Sequence, residues 1–382
     1  MNSASGAGMS LLAFALCAVV SGARVQAQDV LDDPTRGVAG QLRRFDKHGP
    51  TLIGTTVYYP YIIDGHVHSH YSPDARHPPA AIMDTAVGLN MDAIVFTDHG
   101  SVRSLREFSS FTGPVTPFIG AEIGGPFGHA VYWNVAVEDN HQSRTTSLQQ
   151  RCDFAHAHGG LLVFAHPGWW IKGNEHDPME WMTAAAMRRG GTAGAIDAIE
   201  LWNGVYDPPL PKLIDSWLGL IEAGVYVPIV GDSDFHQYRF HQLGDAHSIV
   251  LCDKPEIKTC LWPAVKQGRV IVSVGPSAVF SVNGQPPGSV LQVSAQPLDV
   301  KVEALASEGG TLRLYRGREV IEQRKLTPGV NAVFTFSVEA PKADSMLRID
   351  IERPRRTRGQ TSISLLSNPV LLDVAPLRSS WR

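Results

Sequence analysis

Cysteine is scarce in this chain, with four in 382 residues. Cys17 lies in an N-terminal apolar run, and the remaining Cys152, Cys252 and Cys260 are too few for a disulfide scaffold. They form no CxxC pair, which excludes a cysteine-built structural zinc site. An oxidising compartment permits a short Cys252–Cys260 bridge with Cys152 left over. Basic charge is not in excess either: 33 Lys and Arg against 37 Asp and Glu give a formal charge of −4. Without a broad basic face nucleic acid is not an expected partner, which leaves a small-molecule substrate. Long apolar runs are also missing from the N-terminal region. Leu11–Val20 spans ten residues, too short to cross a hydrocarbon core of about 30 Å as a helix. Nothing in the chain resembles a nucleophile elbow or a Cys–His arrangement, so a dedicated Ser or Cys nucleophile is not expected.

The short apolar run has a different use. Followed by Ser21-Gly-Ala-Arg-Val-Gln-Ala27, it reads as a signal peptide of residues 1–27 cleaved before Gln28. Export to the periplasm or the exterior is expected, with no stable membrane span after cleavage. The oligomeric state is not legible.

What remains is a globular composition, 43% hydrophobic and 18% charged, long enough for one large domain and a smaller one. After a polar stretch, short β-branched runs alternate with helix-like segments. The runs are Tyr61–Ile63, Ala93–Phe96, Pro117–Ile119, Leu161–Phe164, Ile196–Leu201 and Val225–Val230, and the helices Pro79–Gly88, Leu148–His158 and Leu213–Glu222. This rhythm predicts an α/β domain over residues 28–275, built on a parallel sheet covered by helices. Beyond residue 275 alternating strands separated by Gly, Pro and Asn turns predict a small β-sandwich over 276–382.

The 15 histidines supply the chemistry, because several stand just past the ends of these strands. Asp64-Gly-His66-Val-His68 follows the first, Thr97-Asp98-His99 the second, Glu122 the third, and His166 the run Leu161–Phe164. Asn203 and Asp232-Ser-Asp234-Phe-His236 end the last two. Ligands of parallel α/β folds bind beyond the carboxyl ends of the strands, so these side chains are expected on one face. His66 and His68, two apart on an extended strand, point the same way. Imidazoles and carboxylates together suit Zn, Mn or Fe. With Asp74 and His129 the set exceeds the four ligands of a tetrahedral ion, which argues for two or three ions. Such ions lower the pKa of bound water to about 7 and so provide a hydroxide nucleophile.

In order, Asp64–Asp74, Phe96–His99, Gly120–Glu122, Gly128-His129, Ala165–Gly168 and Gly231–His236 resemble the motifs of the polymerase and histidinol phosphatase (PHP) superfamily of metal-dependent hydrolases. The Ser72-Pro-Asp74 form is most similar to its carbaryl-hydrolase-like CehA/McbA branch. The resemblance covers roughly residues 60–275. It implies a distorted (β/α)7 TIM-like barrel and a trinuclear site. Carried over, His66, His68, Glu122 and Asp234 would hold the first ion. Glu122, His129 and His166 would hold the second, and Asp74, His99 and His236 the third. The resemblance makes phosphoester hydrolysis the default and carbamate or aryl-ester hydrolysis the alternative. His99 and Asp234 are the candidates for moving a proton to the leaving group.

Asp64, Asp98 and Asp232 read either as partners orienting imidazoles or as plain strand-end residues. Asn203 and Trp169, with Trp170 and Trp202, stand where a substrate could touch them, although packing is the alternative for the tryptophans. His70, His77, His156, His158, His176, His241 and His247 read as surface or structural. A reading of another class, a non-catalytic envelope binding protein, would leave the barrel as scaffold.

Overall fold

The computed structural model describes residues 44–141, 145–167, 182–183, 187, 195–204, 210–237, 242–353 and 363–374. The predicted signal peptide and cleavage site, Trp169, Trp170, His176 and His241 lie outside them.

The chain begins with a hairpin, β1 (Thr51–Ile53) and β2 (Thr56–Val67). The first half of β2 alternates in burial, whereas its last six residues are all buried, since both faces are covered there. Helix α1 (Pro79–Leu89) leads to β3 (Ala93–Phe96), and a 3-10 helix (Arg103–Ser110) leads to β4 (Thr116–Gly125). β5 (Gly128–Trp133) then folds straight back on β4, and α2 (Leu148–Ala157) precedes β6 (Leu161–Phe164). β7 (Ala198–Asn203), α3 (Leu210–Glu222) and β8 (Ile229–Asp232) follow. Next come β9 (His247–Cys252), α4 (Ile257–Lys266) and β10 (Val270–Ser273).

Strands β2 to β8 are neighbours in sequence order. A parallel bridge from Val67 to Phe235, with His68 N–H donating to the Phe235 carbonyl at 2.8 Å, joins the chain beyond β8 back to β2. Ile63, Val95, Phe118, Val131, Val163, Ala198 and Val230, one from each strand, share one apolar cluster with Leu261 and Val265 of α4. Seven strands closing on a common core make a barrel. It departs from uniform parallel pairing at β5, which is antiparallel to both β4 and β6. Strands β5 and β9 are not among the sequence-based expectations. The expected strand over 225–230 is extended and paired only from Ile229. Pro228 has no N–H for the ladder, and Val225 N–H still bonds the Leu220 carbonyl of α3.

The C-terminal strands are β11 (Ser277–Val282), β12 (Val290–Gln292), β13 (Leu298–Leu305), β14 (Gly310–Arg316) and β15 (Glu319–Leu326). They continue as β16 (Ala332–Val338), β17 (Ser345–Glu352), β18 (Ile363–Ser367) and β19 (Val370–Asp373). β11, β13 and β16 form one sheet, facing a second that contains β14, β17 and β18. This is the expected sandwich, but its larger sheet is continuous with the barrel. β9 pairs with β2, β10 with β9, and β18 with β10. The segment before β1 ties both parts. Phe45 N–H bonds Leu89, Asp46 accepts from Ser307 N–H at 2.7 Å, and His48 Nδ1 lies 2.8 Å from Ser277 Oγ.

Candidate metal centre

One end of the barrel, formed by the carboxyl ends of its parallel strands and the amino end of β5, brings together all nine residues expected as ligands. Their polar atoms fall into overlapping groups: His66, His68, Glu122 and Asp234; Glu122, His129 and His166; and His68, Asp74, His99 and His236. The first is buried throughout. His66 Nε2 and His68 Nε2 lie 3.1 Å apart, and Asp234 Oδ1 lies 3.3 and 3.2 Å from them. Glu122 approaches the same two nitrogens at 3.6 and 3.4 Å. Ligand atoms about 2.0–2.1 Å from a tetrahedral ion sit roughly 3.4 Å from one another. One ligand atom from each of the four lies within 4.8 Å of the others, close enough to share one cation.

The hydrogen-bond pattern points the same way. Glu122 Oε2, Asp234 Oδ1 and His129 Nδ1 are buried without a hydrogen-bond partner among the described residues. His129 Nδ1 is only 2.6 Å from Glu122 Oε1, yet the pair lacks hydrogen-bond geometry. Electron-rich atoms packed closely without bonding one another are co-ligands aimed at a common point. His166 Nε2 completes that second group, 3.0 Å from Glu122 Oε1. In the third, Asp74 Oδ2 lies 3.2 Å from His99 Nε2 and 3.4 Å from His236 Nε2.

Electrostatics reflect the same demand for positive charge. The imidazoles surrounding Glu122 and Asp234 overcome burial and hold both carboxyls well below their usual range. Burial works against charge on His66, but Asp234, Glu200 and Glu122 raise it well above the ordinary imidazole value. Asp74 and Glu122 likewise raise His99 to about 10. His68 goes the other way, down to about 3, through burial and the positive charges of His236 and His99. Without divalent cations, protons on His66, His99, His166 and His236 balance the carboxylates; with them, the ions take over that task.

Local backbone explains how these side chains meet. Gly65 separates Asp64 from His66 because no larger residue fits: a Cβ there would stand 2.1 Å from the Trp133 ring and 2.7 Å from Asp232 Oδ1. Trp133 Nε1 donates to the Gly65 carbonyl at 2.7 Å, which pins β2 from inside the barrel. His166 and Asp234 adopt positive φ, 27° and 52°, a strained backbone for side-chain-bearing residues.

What holds that strain is a residue without a recognised motif. Glu200, buried on β7, takes His66 Nδ1 at 3.0 Å, His166 N–H at 2.7 Å and Asn203 Nδ2 at 3.3 Å. Asn203 also donates to Asp234 Oδ2 at 3.3 Å, so its observed role is to hold the site together. The three aspartates beside the ligands make no direct hydrogen bond to a site imidazole among those resolved. Asp64 accepts from Ser233, Gly244 and the His66 backbone, and burial pushes it up to about 6. Asp232 accepts from Gly65 N–H. Asp98 acts through an intermediary: Ser72 Oγ donates to it at 3.0 Å and lies 2.9 Å from His68 Nδ1. Ser72 belongs to the Ser72-Pro-Asp74 motif without a role having been read for it, and Glu200 is the contributor that motif reading passes over; a lone acid inside the buried strand Ala198–Asn203 is its signal.

Access is one-sided. His66 and His68 are essentially buried, whereas side-chain exposure reaches 52% at Asp74, 31% at His99 and 24% at His129. A substrate would enter on that side.

Residues 64–229 match the PHP domain family. No curated protein matches. Among solved structures, one similar chain is a two-domain protein from Bacteroides vulgatus containing a predicted PHP-like metal-dependent phosphoesterase. It has 14% identity and a TM-score of 0.47, covering 85% of this chain and 99% of that one. A candidate metal-dependent phosphoesterase from Bifidobacterium adolescentis has 14% identity and a TM-score of 0.35, covering 48% and 90%. An amidohydrolase from Chromobacterium violaceum, with bound sulfate and no metal, has 15% identity and a TM-score of 0.36, covering 46% and 87%. The chain is a mixed α/β protein with a β-rich C-terminal part, its segment 64–229 matches the PHP domain family, and its buried His, Asp and Glu cluster fits a metal-dependent hydrolase.

Proposed function

We propose that this PHP fold hydrolyses a phosphoester with divalent ions held by the three ligand groups. The observation that carries the reading is the buried set His66, His68, Glu122 and Asp234, close enough to share one cation and carrying orphaned carboxylate oxygens. When bound, Zn, Mn or Fe ions would supply Lewis acidity and a water activated near neutral pH. The chain's residues do the rest. Glu122 joins the first and second groups, and Glu200 fixes the orientation of His66. Of the two candidates for moving a proton to the leaving group, His99 is better placed, a role open to it only when its imidazole is not holding the third ion. It faces the opening between Asp74 and Glu122, whereas Asp234 is buried and held ionised by its imidazoles.

A second reading, hydrolysis of a neutral carbamate or aryl ester, gains support from Asp74. Its carboxylate is half exposed at the mouth and repels a dianionic substrate more than an uncharged one. Export is part of the proposal, and a Cys252–Cys260 disulfide supports it, since such bonds persist in oxidising compartments.

The test is hydrolysis of nitrophenyl phosphate, bis-nitrophenyl phosphate and an aryl methylcarbamate, with metal content measured on the same sample. Chelator-sensitive phosphoester hydrolysis, abolished in His66→Ala and Glu122→Ala, is expected. Activity only on the carbamate selects the second reading. Undiminished activity in both variants overturns metal-dependent hydrolysis, and a metal-free, inactive protein leaves a binding role.

A further inference from the structure

We propose that Arg151 is a positioning residue for the second ion group, acting through the β4–β5 hairpin from outside the barrel. The proposal rests on the metal-centre reading above.

Between β4 and β5 the chain turns back without a covering helix, so no crossover segment braces the tip that carries His129. Arg151, on α2 and only 2% exposed, supplies the brace. One guanidinium nitrogen pairs with Asp139. The other donates to the Gly124 carbonyl at 3.2 Å. Asp139 is itself fixed, accepting from the Tyr132 hydroxyl of β5 at 2.5 Å and from His141 N–H at 2.9 Å. The guanidinium thus joins the end of β4, the outward face of β5 and α2 at one point.

Gly124 is a sensitive place to be held. It is the residue paired with His129 across the hairpin, and a Cβ built on it would lie 3.8 Å from the His129 ring. Glu122, two residues earlier on the same strand, meets His129 at 2.6 Å and is shared by the first two ion groups. Loosening Gly124 therefore shifts His129 relative to Glu122 while leaving His66, His68 and Asp234, carried by β2 and the segments beyond β2 and β8, where they are. The bidentate fork matters because it reaches Asp139 and Gly124 together; a lysine amine keeps the charge but not the two-point geometry.

The test compares wild type with Arg151→Lys, each dialysed against buffered zinc and, separately, manganese. Ions per chain and their affinities are measured, with circular dichroism as the fold check. The variant is expected to lose close to one ion, or to bind one ion about 10–100-fold more weakly, with the others unchanged. Equal occupancy and affinity in the two proteins overturns the proposal. A second variant, Arg151→Met with Asp139→Leu, removes the buried charge pair together with the tie to Gly124. If it folds and lacks the same ion, the proposal stands; if it folds with full occupancy, the tie is dispensable and the proposal falls. Wild type holding no divalent ion would instead sink the metal-centre reading, and this proposal with it.

Discussion

Glu200 carries more of the site than any motif residue suggests. A carboxylate on the far nitrogen of a ligating imidazole fixes its tautomer and raises its basicity, and here the same group also bonds the strained backbone of His166. Glu200→Gln keeps the volume but replaces one acceptor oxygen with an N–H2 that cannot accept from His66 or His166. Metal affinity is expected to fall about 10–100-fold with melting temperature changed little, as read by metal titration alongside thermal denaturation. Most of the nine motif residues were legible because a polar side chain at the end of an apolar strand is conspicuous, whereas Asp74 and His129 stand away from the predicted strand ends and were legible only through the Ser72-Pro-Asp74 and Gly128-His129 motifs. Glu200 was hidden because its neighbours Ile199 and Leu201 make the run look purely structural.

Away from the site, His247 is buried on β9 against the Phe45 ring, with Nδ1 2.9 Å from the Gly244 carbonyl. Burial lowers its pKa from 6.5 to about 4. Between those values the unfolded chain binds the proton and the folded chain does not. The stabilisation is therefore complete above about pH 6.5, is lost as pH falls, and is gone below about pH 4, amounting to about 3 kcal/mol. His247→Asn, which can keep a donor toward Gly244, should flatten this part of the profile. Urea midpoints for both proteins at pH 5 and 7.5 check it; parallel pH dependence in the two would refute the assignment.

Among the elements, the alternating rhythm was readable and the exceptions to it were not. β4 was foreseen through Pro117–Ile119, but β5 follows it after a two-residue turn with no helix-like segment between, and their antiparallel pairing is a tertiary choice. β15 escapes notice for another reason: it is an edge strand paired only with β14, and its charged residues blunt the edge. The Cys252–Cys260 disulfide fastens α4 to β9 across a separation of eight residues. Closing so short a loop removes unfolded-chain entropy equivalent to about 2–3 kcal/mol. Replacing both cysteines with alanine should lower the denaturant midpoint accordingly, and adding reductant should no longer change it. A variant as stable as the oxidised wild type would contradict this.

For the whole molecule, the compositional change near residue 275 marks where helices stop, not where packing stops. β10 precedes that point, yet it pairs with β18 nearly a hundred residues later. Local patterns carry no trace of such pairing. One apolar cluster contains Ile62, Phe96 and Phe235 of the barrel together with Phe280, Val302 and Leu365 of the sandwich. A chain ending at Gly275 would leave the outer edge of β10 unpaired and half of that cluster exposed. It should be insoluble or bind a hydrophobic dye, while the full chain unfolds in one cooperative transition. A soluble truncated barrel with its ions in place would show that the sandwich is separable.

The strand shared by barrel and sandwich also limits how the molecule can move. Two lobes that clasp a substrate need a seam with few bonds across it, and here hydrogen-bonded ladders run from β2 through β9 and β10 to β18. A clamshell motion would have to tear those ladders. In the proposed hydrolase, admission and release at the Asp74 side would leave the C-terminal part unmoved, a fixed buttress to the barrel.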